Sequence, residues 1–446
     1  MFLVWFASGL TFLSVPTGAV LSGVWGLSLW QALLAMAAGV VIGAVIIGII
    51  ALPGLRTGLN TLTLSRAAFG RWGNVVPTVV SLVVLVGWTS VGFIITVEGI
   101  ASALLRLGVD EGMLVDAVIL AVVSAPVIVI GVLGIASLVR AQAILAYSLI
   151  VFSIVFFVLR ARDLDWGAVT AAPPASFEAL AAGFVAWLIF LGSGWWNASS
   201  DYSRFQRPGT SSRAVFMVTT TGVCSVLIAG TLGVLLGYGQ PDLGSAANPI
   251  VVLTRGVPSW FLIPYMVVVA GSVAAALIPN FYSAVQDVRV LGARGRRWPA
   301  LVVGAASVGV AAAILLADSD MLGLYGAFLT VLGVPIAAWT GVMLTEIAVR
   351  RRRGWDARRL GSDRGMPAVD WSGCAALAIG CAVGFGLTSS GEAFLAWTGY
   401  LGGSGSAAAQ AQLGVPLALA AGAVAHAALR WSPYGRVRMA GVADAA

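Results

Sequence analysis

ALAAGFVAWLIFLGSGWWNASSDYSR, residues 179–204, decides the fold. About 20 apolar helical residues cross a hydrocarbon core about 30 Å thick, and this stretch is long and apolar enough to do so. Yet Gly192-Ser193-Gly194 stands at its midpoint. Two glycines flanking a serine weaken a helix by about 1 kcal/mol each, so an interruption is expected at mid-membrane. The first apolar stretch, MFLVWFASGLTFLSVPTGAVLSG (1–23), carries a comparable feature at Ser8-Gly9. Irregular backbone at that depth is tolerated where it lines a cavity, and it exposes peptide groups to a ligand.

Working outward, comparable apolar runs fall near 29–53, 76–105, 114–137, 141–160, 213–238, 259–287, 298–317, 321–349, 371–390 and 412–430, which makes twelve spans with the two above. None alternates with period two, so a helical bundle rather than a barrel is expected. The breaks in spans 1 and 6 lie five spans apart. That is the spacing of a five-plus-five inverted repeat whose first helices are discontinuous.

Composition agrees: 59% of the 446 residues are apolar and 10% charged, against roughly a quarter charged in a soluble domain. All 25 basic residues are arginine, and no basic block is interleaved with aromatics as a nucleic-acid surface would be. Cys224, Cys374 and Cys381 lie in apolar runs at no metal-ligand spacing. The first stretch has neither a basic leader nor a cleavage site and reads as a retained span. Its abrupt start at Met1 leads us to expect a short cytoplasmic tail before it.

The arginines orient the chain. With twelve spans, 21 of 25 fall on one side, including Arg56, Arg66, Arg71, Arg140, Arg296, the 350–364 cluster, Arg436 and Arg438. Only Arg106, Arg160, Arg162 and Arg255 fall on the other. The rich side is expected to be cytoplasmic, with both termini, in a multi-pass cell-membrane protein.

Four features share a mid-membrane depth at about 1.5 Å rise per residue. They are Gly9, Gly192 with Gly194, Ser272 beside Gly271, and Trp88 beside Gly87. Each glycine can equally serve close packing between helices. Trp usually sits in interfacial belts, so a midplane Trp88 is a candidate to face a cavity.

The chain resembles the nucleobase–cation symporter family of purine and cytosine permeases, which share the LeuT-type fold. The resemblance runs over about 5–350. It is carried by Trp5-Phe6-Ala7, Gly26-Leu27-Ser28, Gly54-Leu55-Arg56-Thr57-Gly58-Leu59, Ser65-Arg66 with Phe69-Gly70, and Gly87-Trp88. Beyond these it rests on Asp201-Tyr202-Ser203-Arg204, Asn280-Phe281-Tyr282-Ser283, and Phe328-Leu329 with Pro335. It implies an all-α polytopic transporter with a ten-helix core at 1–350, its repeats at about 1–160 and 179–350. A cytoplasmic loop at 351–370 and two additional helices with a short tail at 371–446 complete the chain.

The resemblance further implies a substrate held by Gly9, Trp88, Gly192, Gly194 and Ser272, with Trp88 stacking on a nucleobase or similar heteroaromatic ring. The family's base-binding amide on helix 3 corresponds to Leu85, and its sandwiching aromatic on helix 6 to Gly192. Trp187, Phe190 or Trp195 would have to replace that aromatic. The family's sodium position on helix 8 corresponds to Ala275-Ala276, which have no side-chain oxygen. Symport with protons rather than Na⁺ is therefore expected, with no metal and no cofactor. The competing reading is a LeuT-type carrier of another small solute: a ureide, a vitamin B6-type compound or an amino acid. Asp201 and Asp287 read as ion-pair residues near Arg204 and Arg289, and His426 as a packed residue outside the core repeat. A membrane enzyme would need converging nucleophiles, bases or metal ligands at membrane depth, against which one His and three scattered Cys argue. A channel would need a charged or carbonyl-lined filter, and saturable, slow flux would exclude it.

Overall fold

The computed structural model describes residues 1–246, 248–295, 297–317, 321–362, 366–389, 395–403, 406, 409 and 411–431. Arg296, Arg436 and Arg438 therefore lie outside the described residues. Among those described, nine helices are long and apolar enough to cross a membrane. The pair Phe2–Gly9 and Ser14–Val24, bent by 59°, makes a tenth span. Two further apolar helices, Trp371–Gly386 and Gly414–Trp431, occupy the places of spans 11 and 12.

Span 1 breaks where Ser8-Gly9 predicts. The first half ends at Gly9, and Leu10 turns out of the helix at ψ 56°. The Thr11 and Phe12 amides would continue the helix by donating to the Ala7 and Ser8 carbonyls. They donate instead to the Gly9 carbonyl (2.8 Å) and the Ser272 hydroxyl (3.4 Å). Span 6 breaks, but not at Gly192-Ser193-Gly194. Its helix runs unbroken from Phe177 to Trp195 and gives way to a tight turn over Trp196–Ala198. The physical reason is the Trp196 ring: a Cβ at Gly192 would stand 2.6 Å from it. The glycine makes room for an indole rather than unwinding the backbone.

Spans 3 and 8 contain Gly87-Trp88 and Gly271-Ser272 inside continuous helices, Val75–Leu105 and Leu262–Val290. Span 7, read from sequence as one piece, consists of Ser212–Val223 and Val226–Gly239. The Ser225 hydroxyl between them donates to the Phe6 carbonyl at 2.8 Å.

The described chain forms two compact units. The first comprises Met1–Ala44, Val83–Leu188 and Val218–Gly326. Its core includes an aromatic trio, with Phe12 4.7 Å from Phe156 and Tyr265 5.9 Å from Phe156 between ring centroids.

The second unit comprises Val45–Leu82, Ile189–Met217 and Ala327–Ala446. Its hub is the helix Thr61–Gly73, capped by Asn60, whose side chain accepts from the Thr63 amide at 2.8 Å. The Ser-Arg-x-x-Phe-Gly motif lies on this helix. Ser65 accepts from the Trp339 indole at 2.9 Å, and the Phe69 carbonyl accepts from the Asp370 amide at 2.8 Å. Gly70 sits at φ 77°, ψ −177°, and a Cβ there would meet the Pro367 carbonyl at 2.8 Å. A side chain would be strained by its backbone and blocked by its neighbour, which is why the motif needs glycine.

Candidate functional site

Within the first unit, the break of span 1 and the middle of span 8 come together. The fully buried Ser272 hydroxyl accepts the Phe12 amide and donates to the Val269 carbonyl at 3.1 Å. The single proton of the Ser8 hydroxyl lies between two acceptors, the Val4 carbonyl at 2.7 Å and the Ala275 carbonyl at 3.1 Å. At the break the Phe12 amide is thus held by a side-chain hydroxyl, while the Ala7 and Ser8 carbonyls lose their helical donors.

Gly9 abuts span 7, where a Cβ would stand 2.8 Å from the Val223 carbonyl. It serves close packing as well as the break. Trp88 lies on span 3 in the same unit, 7% exposed. Ala275 and Ala276 are buried on span 8 and present only methyl groups.

Gly192 and Gly194 belong to the second unit, both buried in the last helical turn before the span 6 break. Of the aromatics nominated from sequence to replace the family's sandwiching ring, Trp187 is fully buried in the first unit, its ring 2.6 Å from where a Cβ on Gly230 would stand. Trp196 covers Gly192. Phe190 and Trp195 are half-buried.

Just beyond the break, span 6 is welded to span 2 and to the hub helix. The Ser200 hydroxyl accepts the Gly54 amide at 3.1 Å and donates to the Ile50 carbonyl at 2.5 Å. It is thereby inserted into the i→i−4 ladder of span 2, one of the recognised causes of a local bend. Asp201, 1% exposed, accepts both the amide (2.8 Å) and the hydroxyl (2.9 Å) of Thr61. Its structural task is visible there: it holds the start of the hub helix. Asn197, directly in the break, donates to Ser81 at 2.7 Å, and its own carbonyl oxygen is buried without a partner. Sequence reading nominated neither Asn197 nor Trp196. The only signal was their place just after Gly192-Ser193-Gly194.

A bent first span, a second break in span 6 and buried polar groups at both define a secondary transporter working by alternating access. The chain belongs to the family of permeases for cytosine/purines, uracil, thiamine and allantoin, whose model matches residues 1–431. It is a permease and not an enzyme.

Among solved structures it is similar to Mhp1, a nucleobase–cation-symport-1 family transporter, in a closed conformation with bromovinylhydantoin bound. That match has a TM-score of 0.63 and 17% identity, covering 96% of this chain and 91% of that one. The inward-facing form of Mhp1 gives 0.61 at 16% identity, covering 96% and 90%. A Na⁺-coupled sialic acid symporter, outward-open with substrate bound, gives 0.62 at 13% identity, covering 95% and 88%. At these identities the likeness establishes the LeuT-type fold. No curated protein sequence matches the chain.

Proposed function

We propose that this permease imports a nucleobase or a closely related flat heteroaromatic compound, driven by protons. The observation that carries the reading is Trp88, a large indole almost wholly buried in the middle of an unbroken helix. A flat ring gains from stacking on such a face. Its edge donors and acceptors suit the peptide groups left by the span 1 break, and Gly9 and Ser272 are the contacts proposed for it within the first unit. The family description names nitrogenous ring compounds, and the Mhp1 complex contains a hydantoin. The test is a thermal-shift screen of purified protein against cytosine, hypoxanthine, allantoin, pyridoxine and amino acids. A ligand that binds only the native state raises apparent stability. A shift with an amino acid and none with any ring compound overturns the reading.

Proton rather than sodium coupling rests on span 8. Sodium is a hard cation that needs oxygen ligands, and Ala275-Ala276 supply none from their side chains. The Ala275 carbonyl, moreover, already accepts from Gln142 at 2.7 Å, with the Ser8 hydroxyl 3.1 Å away. Replacing Na⁺ by choline is expected to leave uptake unchanged, while a protonophore abolishes it. A steep Na⁺ dependence of binding to purified protein refutes this assignment.

The arginine distribution carries the orientation, with both termini and the 351–370 loop in the cytoplasm. Gly244 packs 2.9 Å from the Val20 amide nitrogen, measured to a notional Cβ, so a label there would disturb the fold. Gly112 is exposed with open space around it and provides the outer probe. Cysteines at Gly361 and Gly209 are expected to react only from the cytoplasm, and one at Gly112 only from outside. Labelling at Gly361 from outside inverts the topology.

A further inference from the structure

Span 8 contains Pro279 inside a continuous helix. Proline has no backbone N–H, so the carbonyl four residues earlier loses its helical donor. That carbonyl belongs to Ala275, which is fully buried. An orphaned carbonyl in an apolar bundle is costly, and here two side chains answer it. Gln142, from span 5, donates its amide N–H at 2.7 Å, and the Ser8 hydroxyl, in the first half of span 1, stands 3.1 Å away, its one proton shared with the Val4 carbonyl at 2.7 Å. A carbonyl has two lone pairs and can hold both at once.

The two donors differ in what they are attached to. Ser8 sits one residue before the end of the half-helix Phe2–Gly9, beyond which span 1 bends by 59°. Gln142 lies within the long helix Ile135–Arg160, which packs against both that half-helix and span 8. Gln142 is 0% exposed, and its own carbonyl oxygen has no hydrogen-bond partner. Half of the amide's bonding capacity is therefore unused in a buried setting, which is a net cost that a leucine or methionine would avoid. A residue kept for bulk would not carry that cost, so its N–H is the functional part.

We propose that Gln142 is a positioning residue for translocation. It holds the Ala275 carbonyl that Pro279 leaves without a helical donor, so that Ser8 can leave that acceptor when the first half of span 1 moves. The inference rests on alternating access, and on neither the nucleobase nor the proton assignment. Its test therefore needs no substrate.

The chemistry supplies an internal control. Pro279→Ala restores a backbone N–H to the Ala275 carbonyl and should make the Gln142 donor dispensable. Gln142→Met keeps the side chain's length and removes its donor. Hydrogen exchange over residues 2–13 is measured by mass spectrometry on detergent-purified protein for the parent, each single variant and the double variant. With Pro279 present, Gln142→Met is expected to slow exchange of this segment roughly two- to tenfold, the range of one net hydrogen bond, because opening it would then strip the Ala275 carbonyl of its last donor. In the Pro279→Ala background the same change is expected to have little effect. A Gln142→Met protein that folds only when Pro279→Ala accompanies it supports the proposal equally. Equal slowing in both backgrounds, no slowing or an acceleration with Pro279 present, or failure to fold in both overturns it.

Discussion

Trp88→Ala is expected to weaken substrate binding about 5- to 150-fold. Stacking a base on an aromatic side chain contributes roughly 1–3 kcal/mol in nucleic-acid binders, and roughly 1.4 kcal/mol corresponds to tenfold in affinity. Trp88→Phe should keep much of the affinity, because a smaller ring still offers a face. Trp88 is also 7% exposed, so truncation leaves a cavity and lowers stability whatever the indole binds. The two roles separate by measuring affinity and melting temperature on the same monodisperse protein. A stacking platform loses affinity in folded protein and regains it with phenylalanine. A packing residue loses melting temperature, and the folded fraction binds normally. Unchanged affinity in well-folded Trp88→Ala would take Trp88 out of the site, and with it the main physical reason for a flat aromatic substrate.

How far the sequence could be read depends on the kind of signal. Apolar runs of span length survive any tertiary arrangement, so the helical class and most span limits were predictable from 1–23 through 321–349. The span 1 break was predictable too, because Gly9 ends a helix whose next amides find other acceptors. Gly192-Ser193-Gly194 misled by three residues. A glycine that weakens a helix and a glycine that admits a neighbour's indole look identical in sequence, and only Trp196 folding back onto Gly192 separates them.

The hydroxyl Ser200, inserted into the ladder of span 2, left no periodic trace. The same holds for the grip of Asp201 on Thr61, 140 residues away, to which no spacing along the chain points. Gln142 was invisible for a related reason. Its meaning depends on Pro279 in another span, and the link between them is a backbone carbonyl.

His426 is the plainest case, and it leads to the other large effect expected of this chain. Read alone it is a solitary histidine in an apolar span. In the structure it is fully buried, with Nε2 3.1 Å from Glu346 of span 10. The same carboxylate pairs with Arg350 at 2.6 Å and Arg430 at 3.2 Å, and Arg430 also reaches Asp370, at the start of span 11, at 3.3 Å. Arg430 further donates to the Ala67 carbonyl of the hub helix at 3.0 Å. The carboxylates of Glu346 and Asp370 face the guanidiniums of Arg350 and Arg430 in a site where Glu346 is 2% exposed.

Removing one member of a buried ion cluster leaves a charge without compensation, which typically costs about 3–5 kcal/mol. Glu346→Ala is therefore expected to lower the melting temperature sharply and to cut the yield of folded protein. Adding Arg430→Ala should restore part of the loss, because residues in one charge network couple by roughly 0.5–3 kcal/mol. Glu346→Gln keeps the shape and much of the hydrogen bonding while deleting the charge, and it separates two roles. If Glu346 braces spans 10, 11 and 12 against the hub helix, Glu346→Gln is destabilised as well, since Arg350 and Arg430 then face one carboxylate instead of two. If Glu346 carries the transported proton, Glu346→Gln keeps its melting temperature and loses only coupled uptake. The arginines packed on both oxygens of the carboxylate favour the brace.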